Sequence, residues 1–175
     1  NQKMNKSITI MGSGNTGLST ALKLKNDGHK VCLFELPNFS DSTKDLFGKL
    51  NLILDEEDFD LSLDLITNNI EDALDFSKII IICVPAYAHK GFAEALSNKV
   101  SNDHIVVLMP GTLGSLEIKN ILEKNESEIP ILAETDTSPY VCRRTGKTQA
   151  TILGEVPSLG IAIMPKKLTN EITQK

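Results

Sequence analysis

The sequence predicts an α/β protein with a mostly parallel sheet, and three observations support this prediction. Short apolar runs alternate with stretches of helical periodicity, which is typical of strands joined by helical crossovers. Residues 79–84 and 105–109 are apolar throughout, as expected for central strands buried on both faces. A glycine-rich turn directly follows the first apolar run. Together these features favour a doubly wound sheet covered by helices on both faces.

The glycine-rich turn lies between the apolar run 7–11 and a helical stretch, and it reads Gly12-Ser13-Gly14-Asn15-Thr16-Gly17. A G-x-G-x-x-G pattern alone is weak, but this position is that of the dinucleotide-binding turn of the Rossmann fold. The first glycine permits a tight turn, the second lets the backbone approach a pyrophosphate, and the third lets helix and strand pack closely. All six residues are predicted to bind the cofactor, with its pyrophosphate at the positive end of the helix.

Glu35 is the predicted partner of the adenosine ribose. It follows the strand-like run 31–34 and lies 18 positions past Gly17, where such folds carry an acidic residue. Its carboxylate can accept hydrogen bonds from both ribose hydroxyls, whereas it would repel a 2′-phosphate. Residues 36–40 contain no cation to offset that repulsion. The sequence therefore predicts NAD as the cofactor in preference to NADP.

The remaining elements extend the sheet and add an excursion from it. Residues 50–54 and 59–63 alternate in polarity around an acidic turn, which favours a hairpin-like excursion or irregular strands, and 65–67 is predicted as a third parallel strand. Asn69 is a candidate cap for the next helix. The later elements are predicted as helices at 89–96 and 115–124, a strand at 131–134, and a strand pair near the C-terminus formed by 149–153 and 159–164.

Two further loops are candidates for cofactor binding, because open parallel sheets bind ligands beyond the carboxyl ends of their strands. Val84, Pro85 and Ala86 form a small, rigid segment that can lie against the cofactor backbone. Gly111 allows a close approach, and Thr112 offers a hydroxyl. The alternative for the second loop is a plain helix-entry turn.

Candidate substrate contacts lie near the same edge. Arg143 and Arg144 are the only arginines in a chain with 16 lysines, and arginine is the better bidentate partner for a substrate carboxylate. Tyr140 adds a hydroxyl nearby, and His89 follows the Val-Pro-Ala segment. The alternatives are a solvated turn for the arginine pair and a solvent-facing helix start for His89.

Composition excludes several other classes of protein. The net charge is −5 and no basic stripe is present, so neither nucleic acid nor a membrane surface is predicted as a partner. No apolar run approaches the roughly 20 residues that span a bilayer, and no signal peptide opens the chain.

The three cysteines have no metal-like or redox-like spacing, and no metal site is predicted. Cys32 and Cys83 lie in strand-like runs and are predicted to be buried thiols, which favours the cytoplasm. His29 and His104 are predicted to be solvated. A homodimer is compatible with the sequence. No Ser/His/Asp arrangement is present, so the chemistry is assigned to the bound cofactor.

In order and spacing, these turns and loops resemble the N-terminal domain of the octopine/nopaline (opine) dehydrogenase family. The motifs that carry the resemblance span nearly the whole chain: Gly12-Ser13-Gly14-Asn15-Thr16-Gly17, Glu35-Leu36-Pro37, Pro85-Ala86-Tyr87-Ala88-His89, Pro110-Gly111-Thr112, Ala133-Glu134-Thr135, Pro139-Tyr140 and Cys142-Arg143. The resemblance implies hydride transfer from NAD(P)H to the imine formed by an amino acid and a 2-oxo acid. It also implies that Thr135, Tyr140 and Arg143 line the site between two domains.

In that family a mostly helical C-terminal domain supplies the acid/base histidine. No residue here matches that histidine and the chain ends at Lys175, so no catalytic residue is assigned. Residues 1–175 are predicted to form one dinucleotide-binding domain, inactive or nearly so without the helical domain. Residues 1–3, ahead of Met4, are interpreted as a cloning remnant.

Two alternatives stay open at this stage. One keeps the dinucleotide domain and changes the substrate, as in NAD(P)-dependent reductases of the ketopantoate or glycerol-3-phosphate type. The other is an NAD(H)-sensing module that performs no chemistry.

Overall fold

The computed structural model describes residues 5–165, so the interpretations of residues 1–3 and of the chain end at Lys175 lie outside the described residues. The strands are β1 (Ser7–Met11), β2 (Lys30–Phe34), β3 (Leu50–Leu54), β4 (Glu57–Leu61), β5 (Leu65–Thr67), β6 (Ile79–Ile82), β7 (Ile105–Leu108), β8 (Ile131–Thr135), β9 (Tyr140–Arg144), β10 (Gln149–Glu155) and β11 (Ile161–Met164). The α-helices are α1 (Asn15–Asn26), α2 (Ile70–Phe76), α3 (His89–Leu96) and α4 (Gly114–Lys124).

The main sheet has seven strands in the order β11-β8-β7-β6-β1-β2-β5. Every neighbouring pair is parallel except β11 and β8, which are antiparallel. Without β11, the order is that of two mononucleotide-binding halves that meet between β1 and β6. The predicted α/β fold is therefore confirmed, and its ligand crevice is expected beyond the carboxyl ends of β1 and β6.

A second sheet has four strands in the order β4-β3-β10-β9. The predicted hairpin excursion is confirmed, because β3 and β4 form an antiparallel pair. The predicted pairing of 149–153 with 159–164 is wrong. Strand β10 pairs with β3 and β9, whereas β11 pairs with β8 at the edge of the main sheet. The alternation of apolar residues predicted both strands, but it carries no information about which apolar surface each one covers.

Helix α1 is packed between the two sheets. Leu18, Ala21 and Leu22 have no exposed surface, and they share one hydrophobic cluster with Leu33 of the main sheet and Leu52 of the second sheet. Helices α2, α3 and α4 contribute to a second cluster with strands of the main sheet. Because α1 carries the end of the glycine turn, the double packing fixes the position of that turn.

Two sequence predictions about single residues have different outcomes. Cys32 and Cys83 are buried free thiols, as predicted, and burial raises the pKa of each to about 12. The prediction that His104 is solvated is wrong, because the side chain is buried. Protein groups satisfy both ring nitrogens: Nε2–H donates to the Leu74 carbonyl at 3.1 Å, and Nδ1 accepts from the Ser101 amide at 3.1 Å. Within residues 5–165, no helix has the length and apolar character that a bilayer crossing needs.

Candidate dinucleotide site

The three glycines of the turn differ in what surrounds them. A Cβ on Gly12, whose φ is +101°, would lie 2.5 Å from Val84 Cγ1, and a Cβ on Gly17 would lie 1.9 Å from the Gly12 carbonyl oxygen. A Cβ on Gly14 would meet no atom of the described part of the chain within 4 Å. The first and third glycines are therefore required for packing inside the protein. The second faces open space, as expected where a ligand approaches the backbone.

The amino end of α1 is open to that space. Gly14 is the N-cap residue, and as a glycine it has no side chain that could cap the first amides of the helix. The first amides of a helix lack partners within the helix, and the helix dipole places partial positive charge on them. This end of α1 can therefore bind a diphosphate.

Glu35 is held against the turn. Its Oε2 accepts hydrogen bonds from the Ser13 amide at 2.8 Å and the Ser13 hydroxyl at 2.7 Å, and its Oε1 accepts one from the Leu36 amide at 2.9 Å. The Glu35 side chain is thus fixed at the carboxyl end of β2, on the wall of a cavity of about 610 Å³. The residues lining this adenosine-side cavity are Ser13, Gly14, Asn15, Glu35, Asn38, Phe39, Asp41, Ser42 and Arg144.

A second cavity, of about 660 Å³, lies beyond the carboxyl ends of β6 and β7. Its lining residues are Gly14, Asn15, Thr16, Cys83, Val84, Pro85, Ala86, Tyr87, Met109, Pro110, Thr112 and Ser138. Gly14 and Asn15 line both cavities. The two cavities therefore meet at the amino end of α1, and we call the second one the nicotinamide-side cavity.

The loop before α4 is held in place by Glu134. Its carboxylate accepts hydrogen bonds from the amides of Leu113 at 3.2 Å and Ser115 at 3.1 Å, and from the Ser115 hydroxyl at 2.8 Å. Gly111 allows this arrangement, because a Cβ there would lie 2.1 Å from Glu134 Cβ. The sequence predicts Gly111 as a cofactor contact, but in the structure Gly111 lines none of the three cavities, and its lack of a side chain makes room for Glu134.

A third cavity, of about 410 Å³, adjoins the same loop. Thr112 lines both this cavity and the nicotinamide-side cavity. Thr135 lines the third cavity and is buried, with its hydroxyl donating to the Thr137 carbonyl at 2.8 Å. Thr135 is thus the one predicted substrate residue that lines a cavity next to the predicted cofactor site.

His89 has a position that the sequence did not indicate. The side chain is 1% exposed, and neither ring nitrogen has a hydrogen-bond partner among residues 5–165. A Cβ on Gly114 would lie 2.2 Å from its Nδ1, so the imidazole packs against the start of α4. Burial lowers the pKa of His89, while Glu117 and Glu134 act in the opposite direction. The solvent-facing alternative is therefore wrong, and His89 lines none of the three cavities.

The other two predicted substrate residues, Tyr140 and Arg143, lie in β9 and line none of the three cavities. Tyr140 packs against the cluster around α1, and burial raises the pKa of its hydroxyl. Arg143 is exposed and pairs with Thr151, while its neighbours Cys142 and Arg144 pair with the buried residues Ile152 and Ala150. Paired residues point to the same face of a sheet and successive residues point to opposite faces. Arg143 therefore lies on the outer face of the second sheet, away from the three cavities.

Arg144 has a position that the sequence did not indicate, since the pattern predicts it, with Arg143, as a candidate partner of a substrate carboxylate. It lines the adenosine-side cavity, its Nη1 donates to the Ser13 carbonyl at 3.0 Å, and its amide donates to Asn15 Oδ1 at 2.8 Å. The available signal was strand alternation, which allows only one of two adjacent arginines to face α1. That signal becomes usable only when the strand is known to cover α1. Among the described residues, no group of His, Cys, Asp and Glu is arranged to hold a metal ion.

Comparisons with known proteins agree with this geometry. The chain is 26% identical over 163 residues to an opine dehydrogenase of Arthrobacter sp. (strain 1C), a match that covers 91% of this chain and 45% of that protein. Among solved structures, octopine dehydrogenase in complex with NADH and agmatine superimposes with a TM-score of 0.78 at 22% identity, covering 92% of this chain and 42% of the other. The predicted resemblance to the opine dehydrogenase N-terminal domain is thereby confirmed.

A ketopantoate reductase from Ralstonia eutropha JMP134 has the same fold, with a TM-score of 0.63 at 18% identity, covering 89% of this chain and 48% of that chain. The chain spans less than half the length of the first curated relatives it matches. A protein-family model described as "NADP oxidoreductase coenzyme F420-dependent" matches residues 7–109, which include β1, the glycine turn, Glu35 and β6. Fold, turn geometry and family match agree, and the chain belongs to this family of dinucleotide-dependent oxidoreductases.

Proposed function

We propose that the chain binds NAD(H) across the two cavities that meet at Gly14 and Asn15, as the cofactor domain of an opine-type dehydrogenase. The observation that carries this proposal is the shared wall of these cavities, which adjoins the amino end of α1. A pyrophosphate over Gly14 would place the two halves of a dinucleotide in different cavities. Glu35 would then meet the adenosine ribose in the adenosine-side cavity.

The residues of the nicotinamide-side cavity suit a hydride-transfer site. Val84, Pro85, Ala86 and Met109 contribute apolar side chains to its lining, which would favour a site poor in water, and Thr112 contributes a hydroxyl. A bound nicotinamide supplies the hydride in this class of chemistry. The role of this chain would be to bind the nicotinamide ring and to shield one of its faces from water.

The proposed reaction is reductive condensation of an amino acid with a 2-oxo acid. It is supported by the similarity to the Arthrobacter opine dehydrogenase over 91% of this chain. The third cavity supports a substrate position beside Thr112, with Thr135 on its wall. His89, Tyr140 and Arg143 stay predictions as substrate contacts, and their positions in the structure do not support that role.

We propose that a helical domain outside this chain supplies the acid/base group. The chain spans 42% of the octopine dehydrogenase chain that it matches. Efficient hydride transfer needs reacting atoms about 3–3.5 Å apart in a closed site, and the cavities described above are open on one side. The cytoplasm is the proposed location, supported by the buried free thiols Cys32 and Cys83, and a homodimer stays a prediction.

The reaction is tested by turnover. The 175-residue chain should bind NADH but should not oxidise it detectably with pyruvate and a panel of amino acids, whereas the same chain joined to an opine dehydrogenase helical domain should oxidise it. The loss of absorbance at the NADH band measures oxidation by the chain alone and by the joined protein. Ordinary turnover by the chain alone would contradict the proposal of a separate helical domain. Oxidation by the joined protein with ketopantoate, and not with an amino acid and pyruvate, would favour the ketopantoate type. NADH binding without turnover in either form would favour a sensor.

The cofactor preference is tested by thermal unfolding. At equal concentrations, NADH should raise the Tm of the chain more than NADPH does, because the Glu35 carboxylate would repel a 2′-phosphate. A ligand at 100 times its Kd stabilises the folded state by about 2.7 kcal/mol. Glu35→Gln, which removes the charge and keeps the shape, should narrow the difference between the two cofactors. Equal stabilisation of the unaltered chain by both would contradict the role assigned to Glu35.

A further inference from the structure

The second sheet reaches the cofactor turn through the end of β9. Arg144 donates its amide to Asn15 Oδ1 and its Nη1–H to the Ser13 carbonyl, and the Cys142 thiol donates to the Asn15 carbonyl at 3.6 Å. Cys142 and Arg144 lie outside residues 7–109, the part of the chain that matches the family model, whereas β3 and β4 of the same sheet lie within it. The sheet that supplies Cys142 and Arg144 is separate from the six parallel strands of the dinucleotide fold.

The guanidinium of Arg144 is held in a fixed plane. Its Nη1 donates to the Ser13 carbonyl at 3.0 Å, its Nη2 to the Lys147 carbonyl at 2.8 Å, and its Nε to the Gly146 carbonyl at 3.4 Å. All three bonds use donors that point outward in the plane of the group. Hydrogen bonds in the plane do not use the flat faces of the group, and a guanidinium face stacks well on aromatic rings.

Phe39 lines the same cavity from the other chain segment. It lies in the 3₁₀ helix Pro37–Ser42, which follows Glu35. The side chain is 56% exposed, although removal of a phenyl ring from water is favourable and lowers the free energy. A ligand that fills the adenosine-side cavity would cover this ring.

We propose that Phe39 and Arg144 form the adenine subsite of this protein, with the base stacked on the phenyl ring and on the guanidinium face. The inference rests on the proposed binding of NAD(H) and adds a source of affinity for the adenosine half, part of which comes from the second sheet. Base stacking on such groups is tolerant of base identity and is lost when the planar group is removed. The position of Glu35 places the ribose, and thus the base, in the cavity that both residues line.

The test compares NADH with reduced nicotinamide mononucleotide, which lacks the adenosine half. Binding of both to the 175-residue chain is measured by the change in dihydronicotinamide fluorescence. Arg144→Ala and Phe39→Ala should each weaken NADH binding on the order of 10- to 100-fold and leave mononucleotide binding unchanged. Arg143→Ala is the matched control, because it removes the same charge one residue away on the outer face; its NADH affinity should equal that of the unaltered chain.

Three outcomes would overturn the proposal. Equal weakening of both ligands by Arg144→Ala would mean that the arginine only supports the Ser13 carbonyl. NADH binding by Arg144→Lys at the level of the unaltered chain would mean that the positive charge, and not the planar guanidinium face, contributes to NADH affinity. Tighter binding of NADPH than NADH, lost in Arg144→Ala, would mean that the arginine holds a 2′-phosphate.

Phe39→Ala keeps the test valid if Arg144→Ala unfolds, since Phe39 is half exposed. In that case, unchanged NADH binding by Phe39→Ala would overturn the proposal. Failure of the unaltered chain to bind NADH at all would contradict the proposed function itself, which is a different result from loss in the variants.

Discussion

Replacement of Gly14 by valine is expected to abolish NADH binding while the chain stays folded. A Cβ at this position meets no atom of residues 5–165 within 4 Å, and the residue has an extended backbone with a negative φ of −76°, which does not require glycine. The added methyl groups would instead occupy the space where the two cavities meet, over the first amides of α1. We expect the affinity for NADH to fall at least about 100-fold, or about 2.7 kcal/mol of binding free energy.

The measurement combines NADH titration with urea unfolding of the same variant. The free energy of unfolding should change by no more than about 1 kcal/mol, the range for a residue at a helix N-cap or on the surface. Gly154→Val is the matched control, because a Cβ at Gly154 also meets no atom within 4 Å and Gly154 lies in β10, outside the three cavities. Gly14→Ala should give an intermediate affinity, since it adds one carbon in place of three.

Retained NADH affinity in Gly14→Val would show that no ligand approaches the turn at this point, and the proposed cofactor position would have to be given up. A variant that loses binding and stability together would mean that Gly14 is structural. The space found around Gly14, in contrast to Gly12 and Gly17, makes that second result unexpected.

The parts of the fold that follow from local sequence were predictable. The turn between Gly12 and Gly17, the apolar runs of β6 and β7, and the acidic position of Glu35 are signals within a short segment, and each lies where it was expected. The hairpin of β3 and β4 belongs to the same group, because its two strands are joined by a short turn.

The parts that depend on distant contacts were not predictable from one sequence. The edge partner of β11, the burial of His89 beneath Gly114, and the position of Arg144 on the cofactor side of β9 each involve segments far apart in the chain. For β9 the second sheet had to be known first, because strand alternation defines two faces without saying which one covers α1. The adjacent arginines therefore looked like one pair in the sequence and lie on opposite faces in the structure.

Gly17→Ala is expected to cause a large loss of stability, whereas Gly14→Val is expected to lower the affinity for NADH and leave the fold intact. The new Cβ would lie 1.9 Å from the Gly12 carbonyl oxygen and 2.7 Å from the Gly12 carbonyl carbon. Both atoms belong to the backbone, so no side-chain rotation relieves the clash. Helix α1 would have to move away from β1 although it is packed between two sheets. We expect the free energy of unfolding to fall by about 3–5 kcal/mol, a large share of the roughly 5–15 kcal/mol typical of a domain.

Urea unfolding followed by circular dichroism measures this loss, and Gly154→Ala serves as the control with open space around the new methyl group. The control should change the free energy of unfolding by less than about 1 kcal/mol. If Gly17→Ala were as stable as the control, α1 and β1 could separate without cost, and the close packing assigned to the third glycine would be wrong. If it were unstable but regained its Tm with excess NADH, the turn would re-form around the ligand. The two variants thus separate two functions of one motif. Gly17 permits the packing of α1 against β1, and Gly14 leaves room for the cofactor.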